Sequence, residues 1–148
     1  MSRNDDVTPL WLSHHWPDDY ERCAVVRGRH VCRRCLWMYP VAFAVLAAGV
    51  LGPRLPAPVE IAGYALAALP ALVDFVLEHL GRVRQSARRM VIVSVPLGVG
   101  LGLGFTRYVH APGDPWFWAV TVGYGAVAVT AWSTGRRWGP GPDELSGR

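Results

Sequence analysis

The chain has 148 residues, of which 51% are hydrophobic and 18% are charged, and its formal net charge is +4. Soluble domains of this size usually carry about a quarter charged residues, so the deficit indicates that part of the chain lies in a lipid bilayer. All 15 basic residues are arginines beside apolar segments, which favours membrane topology over nucleic-acid binding. We expect membrane lipids as partners and no nucleic acid; other membrane proteins or a second copy of the chain stay open as partners.

The first 35 residues are polar and hold all three cysteines of the chain, Cys23, Cys32 and Cys35. Cys32 and Cys35 form a C-x-x-C pair, whose spacing offers two thiolates to a tetrahedral zinc ion, and nearby histidines offer nitrogen ligands. Two other interpretations stay open, a redox-active thiol pair and inert small residues beside a membrane boundary. The segment lacks the apolar run of a cleavable signal peptide.

Four apolar segments follow, and each is close to the length of about 20 residues that spans a bilayer as a helix. They are Leu36–Gly52, Val59–Leu80, Met90–Val109 and Trp116–Ser133. We therefore predict an all-α polytopic integral membrane protein with four transmembrane helices in residues 36–133. The cysteine-containing segment 1–35 is predicted to form an N-terminal cytoplasmic Cys/His metal knot, and residues 134–148 a disordered cytoplasmic tail.

The arginines also predict the orientation of the chain in the membrane. Of the 15 arginines, all but Arg54 and Arg107 fall in the N-terminal segment, in the connection between the second and third segments, and in the C-terminal tail. Positive charge gathers on the cytoplasmic side of membrane proteins, so both termini are expected in the cytoplasm. Thiols stay reduced there, which disfavours structural disulfides.

The third apolar segment carries glycines at alternate positions, Gly98, Gly100, Gly102 and Gly104. They form two overlapping G-x-x-x-G pairs, a pattern that allows the backbones of neighbouring helices to approach closely. Because three other helices of the same chain need partners, we expect this packing within the chain rather than between copies.

An acidic pair interrupts the second apolar segment. Asp74 lies well inside it, Glu78 follows on the same helical face, and Arg84, Arg88 and Arg89 come next in the chain. Carboxylates at membrane depth are costly and face a protein interior or a cavity. Two interpretations stay open: a cytoplasmic-facing pocket that binds a lipid headgroup or an anionic metabolite through the arginines, and an intramembrane ion pair that joins two helices.

Three further ionisable residues lie at the outer ends of the segments. These are Glu60, His110 and Asp114. Because side chains at span ends usually reach the aqueous interface, we expect all three to be solvated.

The cysteine segment resembles a known family. "HVCRRCLWMY" resembles the C-x-R-C-x-x-x-Y signature of a family of small bacterial membrane proteins, domain of unknown function family 2085. Ser13, His14 and Pro17 match the opening C-H-x-x-P motif of that family, except that serine replaces cysteine. The resemblance implies the bacterial cytoplasmic membrane, and a zinc site that has lost one ligand at Ser13. Cys23 would supply the missing ligand, so that His14, Cys23, Cys32 and Cys35 bind the metal; His15 and His30 stay open as alternatives to His14.

The likeness continues weakly along the chain. Asp74 matches an aspartate late in a span of the family, and "RQSARRM" matches a polar stretch before a glycine-rich span, although Phe75 and Ala87 depart from the expected residues. The resemblance implies no activity.

Three classes of function therefore stay open. The first is a structural or interaction protein whose zinc site fixes the first helix. The second is an enzyme or binding protein for a lipid or small anionic metabolite near Asp74 and Arg88. The third is a membrane thiol oxidoreductase or metal-handling protein that uses the cysteines chemically.

Overall fold

The computed structural model describes residue 20, residues 23–83 and residues 86–138, with side chains up to residue 135. This part of the chain is predominantly helical, as predicted, and a short β-hairpin precedes the first helix. The elements are β1 (Cys23–Val26), β2 (Arg29–Cys32), α1 (Arg33–Leu51), α2 (Ala57–His79), α3 (Ala87–His110) and α4 (Pro115–Trp138).

The hairpin is antiparallel, and its register places Cys23 directly opposite Cys32. Its two-residue turn consists of Arg27 and Gly28, which have φ angles of 51° and 76°. Positive φ at both central residues is typical of the type I′ turn, whose twist matches that of the flanking strands. The sequence did not predict this hairpin, but it determines where the cysteines lie.

Three of the helices in the described part of the chain, α1, α2 and α3, are long and apolar enough to cross a membrane. α1 begins at Arg33, so Pro40 lies in the interior of the helix. Proline inside a helix removes one backbone hydrogen bond, which membrane helices tolerate when neighbouring groups compensate. α2 ends in a Schellman motif, in which Gly81 adopts a positive φ of 67° and the Arg82 N–H donates to the Leu77 carbonyl.

α4 has 24 residues, the same length as α3. It is not among the helices of the described residues that meet the criteria for a membrane span. It continues through Trp138, five residues past Ser133, where we expected the helical domain to end. No proline interrupts the chain over these residues.

The helices do not pack in chain order. α3 lies between α1 and α2 and makes the most extensive contacts with both, while α4 packs mainly on α2. The spatial order is therefore α1, α3, α2, α4, and in the described part of the chain α1 and α2 touch each other little.

The alternate glycines explain how α3 fits between its two neighbours. Gly98 and Gly102 face α1, whereas Gly100 and Gly104 face α2. A Cβ atom at Gly102 would lie 2.6 Å from the Cβ of Val45, closer than side chains approach. The glycine pattern therefore serves packing within the chain, as predicted, and serves two partner helices at once.

Candidate functional site

The hairpin and the first turn of α1 hold the three cysteines. Cys23 and Cys32 face each other and are buried. The Cys35 thiol lies in hydrogen-bond contact with Cys32. All three are present as thiols, with no disulfide among the described cysteines. Cys32 is the residue that precedes α1, and Cys35 lies in the first turn of that helix.

The candidate nitrogen ligands for the metal are His14, His15 and His30. His14 and His15 lie outside the described residues. His30 lies on β2, on the same face of the hairpin as Cys32 because side chains alternate along a strand, and its ring stacks on Tyr20 with centroids 3.9 Å apart. Within residues 20, 23–83 and 86–135, no three His, Cys, Asp or Glu side chains are arranged to hold a metal ion. The zinc site stays a prediction.

Arg33 and Arg34, the two arginines inside the C-x-x-C segment, form hydrogen bonds to different elements of the fold. Nη2 of Arg33 donates to the carbonyl oxygen of Cys23 at 2.9 Å, which joins the start of α1 back to β1. Nη2 of Arg34 donates to Oδ2 of Asp74 at 3.1 Å, which joins the same turn to α2. The cysteine hairpin is therefore attached to a carboxylate inside the helical domain.

That carboxylate is the centre of a group of charges that we call the Asp74 cluster, formed by Asp74, Arg34 and Arg89. The Asp74 side chain is 5% exposed. Its Oδ2 accepts from Arg34 of α1, and its Oδ1 accepts from Nε of Arg89 of α3. One carboxylate of α2 thus binds one arginine from each of two other helices.

The remaining residues predicted for this site have different places. Arg88 is exposed and Glu78 is half-buried; Arg84 lies outside the described residues. Among the described side chains, only Arg33 Nε and Arg89 Nη2 are buried nitrogen atoms without a hydrogen-bond partner. Among the described residues, Asp74 therefore pairs with Arg89 and Arg34, and one buried donor of Arg89 is left unsatisfied.

A second group of charges, the Glu60 cluster, lies at the other end of α2 and contains Glu60, Arg107, Asp114 and Arg54. Nη1 of Arg107 donates to Oε2 of Glu60 at 3.1 Å, and its Nε donates to Oδ1 of Asp114 at 2.8 Å. Nη2 of Arg107 also binds Asp114. Arg54 lies 3.5 Å from the same Glu60 oxygen.

The Glu60 cluster corrects the expectation that its acidic residues are solvated. The Glu60 side chain is 3% exposed and that of Asp114 is 12% exposed, because Arg107 of α3 reaches both carboxylates and replaces their water. His110 is exposed as expected, and its ring contacts the carbonyl oxygen of Thr106 at 2.8 Å.

Asp114 also begins α4. Its Oδ1 accepts the backbone N–H of Phe117 at 2.9 Å, and Pro115 occupies the first helical position; both features are typical of a helix start. The hydrogen bond from the Arg107 guanidinium, opposed by partial desolvation and helped by the Phe117 N–H, lowers the pKa of Asp114 to about 2.

Each end of the helical domain also has a cavity. One, of about 400 Å³, lies beside the Asp74 cluster and is lined by Leu69, Pro70, Val73, Asp74, Leu77, Arg89 and Val93. The other, of about 410 Å³, lies between α2, α3 and α4 and is lined mainly by aromatic rings, among them Tyr64, Tyr108 and Phe117. Of these two cavities, the first has a carboxylate and a guanidinium in its lining and the second has neither.

Sequence reasoning identified Asp74 but missed three of the arginine and carboxylate partners, namely Arg34, Glu60 and Arg107. An acidic residue and a basic residue stand at the ends of adjacent apolar segments, and this pattern could have indicated Glu60 and Arg107.

Comparison of the chain with protein families, with curated protein sequences and with solved structures finds no match. The resemblance of the cysteine segment to family 2085 therefore stays a prediction.

Proposed function

We propose that this is an integral protein of the bacterial cytoplasmic membrane, with four transmembrane helices and both termini in the cytoplasm. In this proposal α4 is the fourth span, because 24 helical residues extend about 36 Å. The cysteine hairpin binds a structural zinc ion through Cys23, Cys32, Cys35 and one histidine, with His14 as the first candidate. The protein acts as a membrane subunit or interaction protein, and the metal fixes the start of α1.

The observation that carries this proposal is the salt bridge from Arg34 to Asp74. Arg34 lies between two of the proposed thiolate ligands, so a metal bound to Cys32 and Cys35 would hold the backbone of Arg34 in place. Its guanidinium would then keep α1 attached to α2. A closed zinc site has this stabilising role, whereas catalytic zinc sites keep one coordination position open.

The donor atoms suit zinc better than harder cations. Three sulfur atoms and one imidazole form a Cys3His set, which is a common structural zinc site. The register of the hairpin supports the substitution of Cys23 for the residue missing at Ser13, because it places Cys23 opposite Cys32. It also offers His30 as an alternative nitrogen ligand on the same face of the hairpin.

Metal analysis of the purified protein tests the proposal. We expect one zinc per chain in the wild type and loss of that zinc in Cys23→Ser, since a serine hydroxyl is a poor zinc ligand. His14→Asn and His30→Asn, compared with the exposed control His110→Asn, identify the nitrogen ligand. Equal zinc in the wild type and in Cys23→Ser would contradict the site.

The two forms of the third class of function, metal handling and thiol redox chemistry, give different results in the same preparation. Zinc that resists mild chelation supports a structural site, whereas readily exchanged zinc supports metal handling. Alkylation of Cys32 and Cys35 that depends on added reductant, in protein without zinc, supports a thiol oxidoreductase instead.

A further inference from the structure

The Asp74 cluster has more positive than negative charge. One carboxylate, Asp74, faces the two guanidinium groups of Arg34 and Arg89. Nη2 of Arg89 is buried and has no hydrogen-bond partner among the described residues. A buried charged donor without an acceptor is costly, and such groups in proteins usually have a partner that is a ligand, an ion or water.

The cavity beside the cluster provides room for such a partner. Arg89 and Asp74 form its polar part, and the rest of its lining is aliphatic. Leu69, Val73 and Leu77, on the α2 side of the cavity, are exposed on the surface of the helical domain. A volume of about 400 Å³ with a few polar groups at one end is typical of a small-molecule site.

The start of α3 adds to the preference for negative charge. Arg89 lies in the first turn of α3, which contains no acidic residue, and Ser86 at the capping position makes no side-chain cap. Backbone N–H groups at the amino terminus of a helix attract anions. Arg88, the neighbour of Arg89, is exposed and adds a further positive charge.

We propose that this cavity binds a lipid with a singly charged anionic headgroup. A phosphodiester or carboxylate oxygen accepts the hydrogen bond from Nη2 of Arg89, and one hydrocarbon chain lies along Leu69, Val73 and Leu77. A single negative charge balances the excess of one positive charge in the Asp74 cluster. The cavity lining belongs to α2 and α3, whereas Arg34, whose charge contributes to the excess, lies in α1 between Cys32 and Cys35.

Native mass spectrometry of the protein in detergent tests this site. The purified protein is titrated with phosphatidylglycerol, with zwitterionic phosphatidylcholine, with a long-chain fatty acid, and with glycerophosphoglycerol, the singly charged phosphodiester that remains when phosphatidylglycerol loses its chains. We expect one molecule of phosphatidylglycerol or of fatty acid to be retained about tenfold more tightly than phosphatidylcholine, since hydrogen bonds to charged groups are strong. Retention of phosphatidylglycerol identifies the headgroup as a phosphodiester, and retention of the fatty acid identifies it as a carboxylate.

Two variants locate the lipid. Arg89→Lys keeps a positive charge beside Asp74 but removes the second guanidinium donor, and Val73→Trp fills the cavity without changing any charge. We expect either change to weaken binding of the anionic lipid about tenfold. The matched control Arg82→Gln, which removes an exposed arginine from the same end of the helical domain, leaves binding within about twofold because exposed charges contribute little.

The outcomes that overturn the proposal are equally specific. Equal retention of phosphatidylglycerol and phosphatidylcholine would remove the role of charge. Glycerophosphoglycerol bound as tightly as phosphatidylglycerol would remove the role of the chain. If Arg89→Lys should fail to fold, unchanged binding in folded Val73→Trp would by itself rule out this cavity.

Discussion

The Asp74 cluster and the Glu60 cluster lie at opposite ends of α2, about 21 Å apart along the helix axis, and both bury a carboxylate among apolar helices. At the Glu60 end, Arg107 directs three nitrogen atoms to two carboxylates, and with Arg54 the charges balance. At the Asp74 end, one carboxylate serves two arginines and one buried donor is left over. A closed network can only join helices, whereas an unbalanced one also has the capacity to bind a ligand.

The largest effect is expected from Arg107→Leu. The change leaves Glu60 buried without its nearest counter-ion, and breaking a buried pair in this way costs about 3–5 kcal/mol. This cost is measured as the decrease in the free energy of unfolding, obtained by denaturant titration in detergent. Arg54→Gln is the matched control, because Arg54 is 48% exposed and should contribute about 0.5 kcal/mol. Similar losses in the free energy of unfolding for Arg107→Leu and Arg54→Gln would contradict the role of Arg107 as the buried counter-ion of Glu60.

A smaller loss is expected from Asp74→Asn. Arg34 and Arg89 then face each other without a carboxylate, but their side chains are 22% and 27% exposed and can turn toward water. We expect about 2 kcal/mol of destabilisation, less than for a fully buried pair. The same unfolding measurement applies, with the exposed Arg88→Gln as a control near zero. A stability equal to that of the wild type would show that the Asp74 cluster does not join the helices.

The smallest effect is a pH dependence specific to the Glu60 cluster. The pKa of Asp114 is lowered from 3.8 to about 2, so the ionised form is the one that the folded protein favours. Its contribution to stability is complete above about pH 4 and is lost as the pH falls toward 2. The thermal midpoint of the wild type should therefore approach that of Asp114→Asn over this interval. A constant difference between the two proteins from pH 5 to pH 2 would contradict this assignment.

Sequence alone identified Asp74 because an acidic residue inside a long apolar run must have a partner. It did not identify Arg89 rather than Arg88 as that partner, since consecutive helical residues differ by 100° in direction and the rotation of α3 is set by its packing. The ion pair between Glu60 and Arg107 was not predicted, for a different reason. Residues at the ends of apolar segments usually reach water, and their pairing depends on helices 47 positions apart in the chain.

The helices themselves were more predictable than their arrangement. The expected bounds of the first three apolar segments lie within three residues of those of α1, α2 and α3, because uninterrupted apolar runs have few alternatives in a membrane. The hairpin was missed, since its strands have four residues each and its turn is Arg-Gly in place of the more usual Asn-Gly. The spatial order of the helices follows from side-chain packing, which no local pattern encodes.

The location of α3 between α1 and α2 has a consequence for the synthesis of the protein. Glu60 and Asp74 both belong to α2, while Arg107 and Arg89 belong to α3 and are translated later. A nascent chain that ends after α2 already contains both carboxylates, and of their four observed basic partners it contains only Arg34 and Arg54. At that stage Arg34 and Arg54 are the counter-ions available to the two carboxylates. The helix α3, which lies between α1 and α2 in the folded protein, is synthesised afterwards.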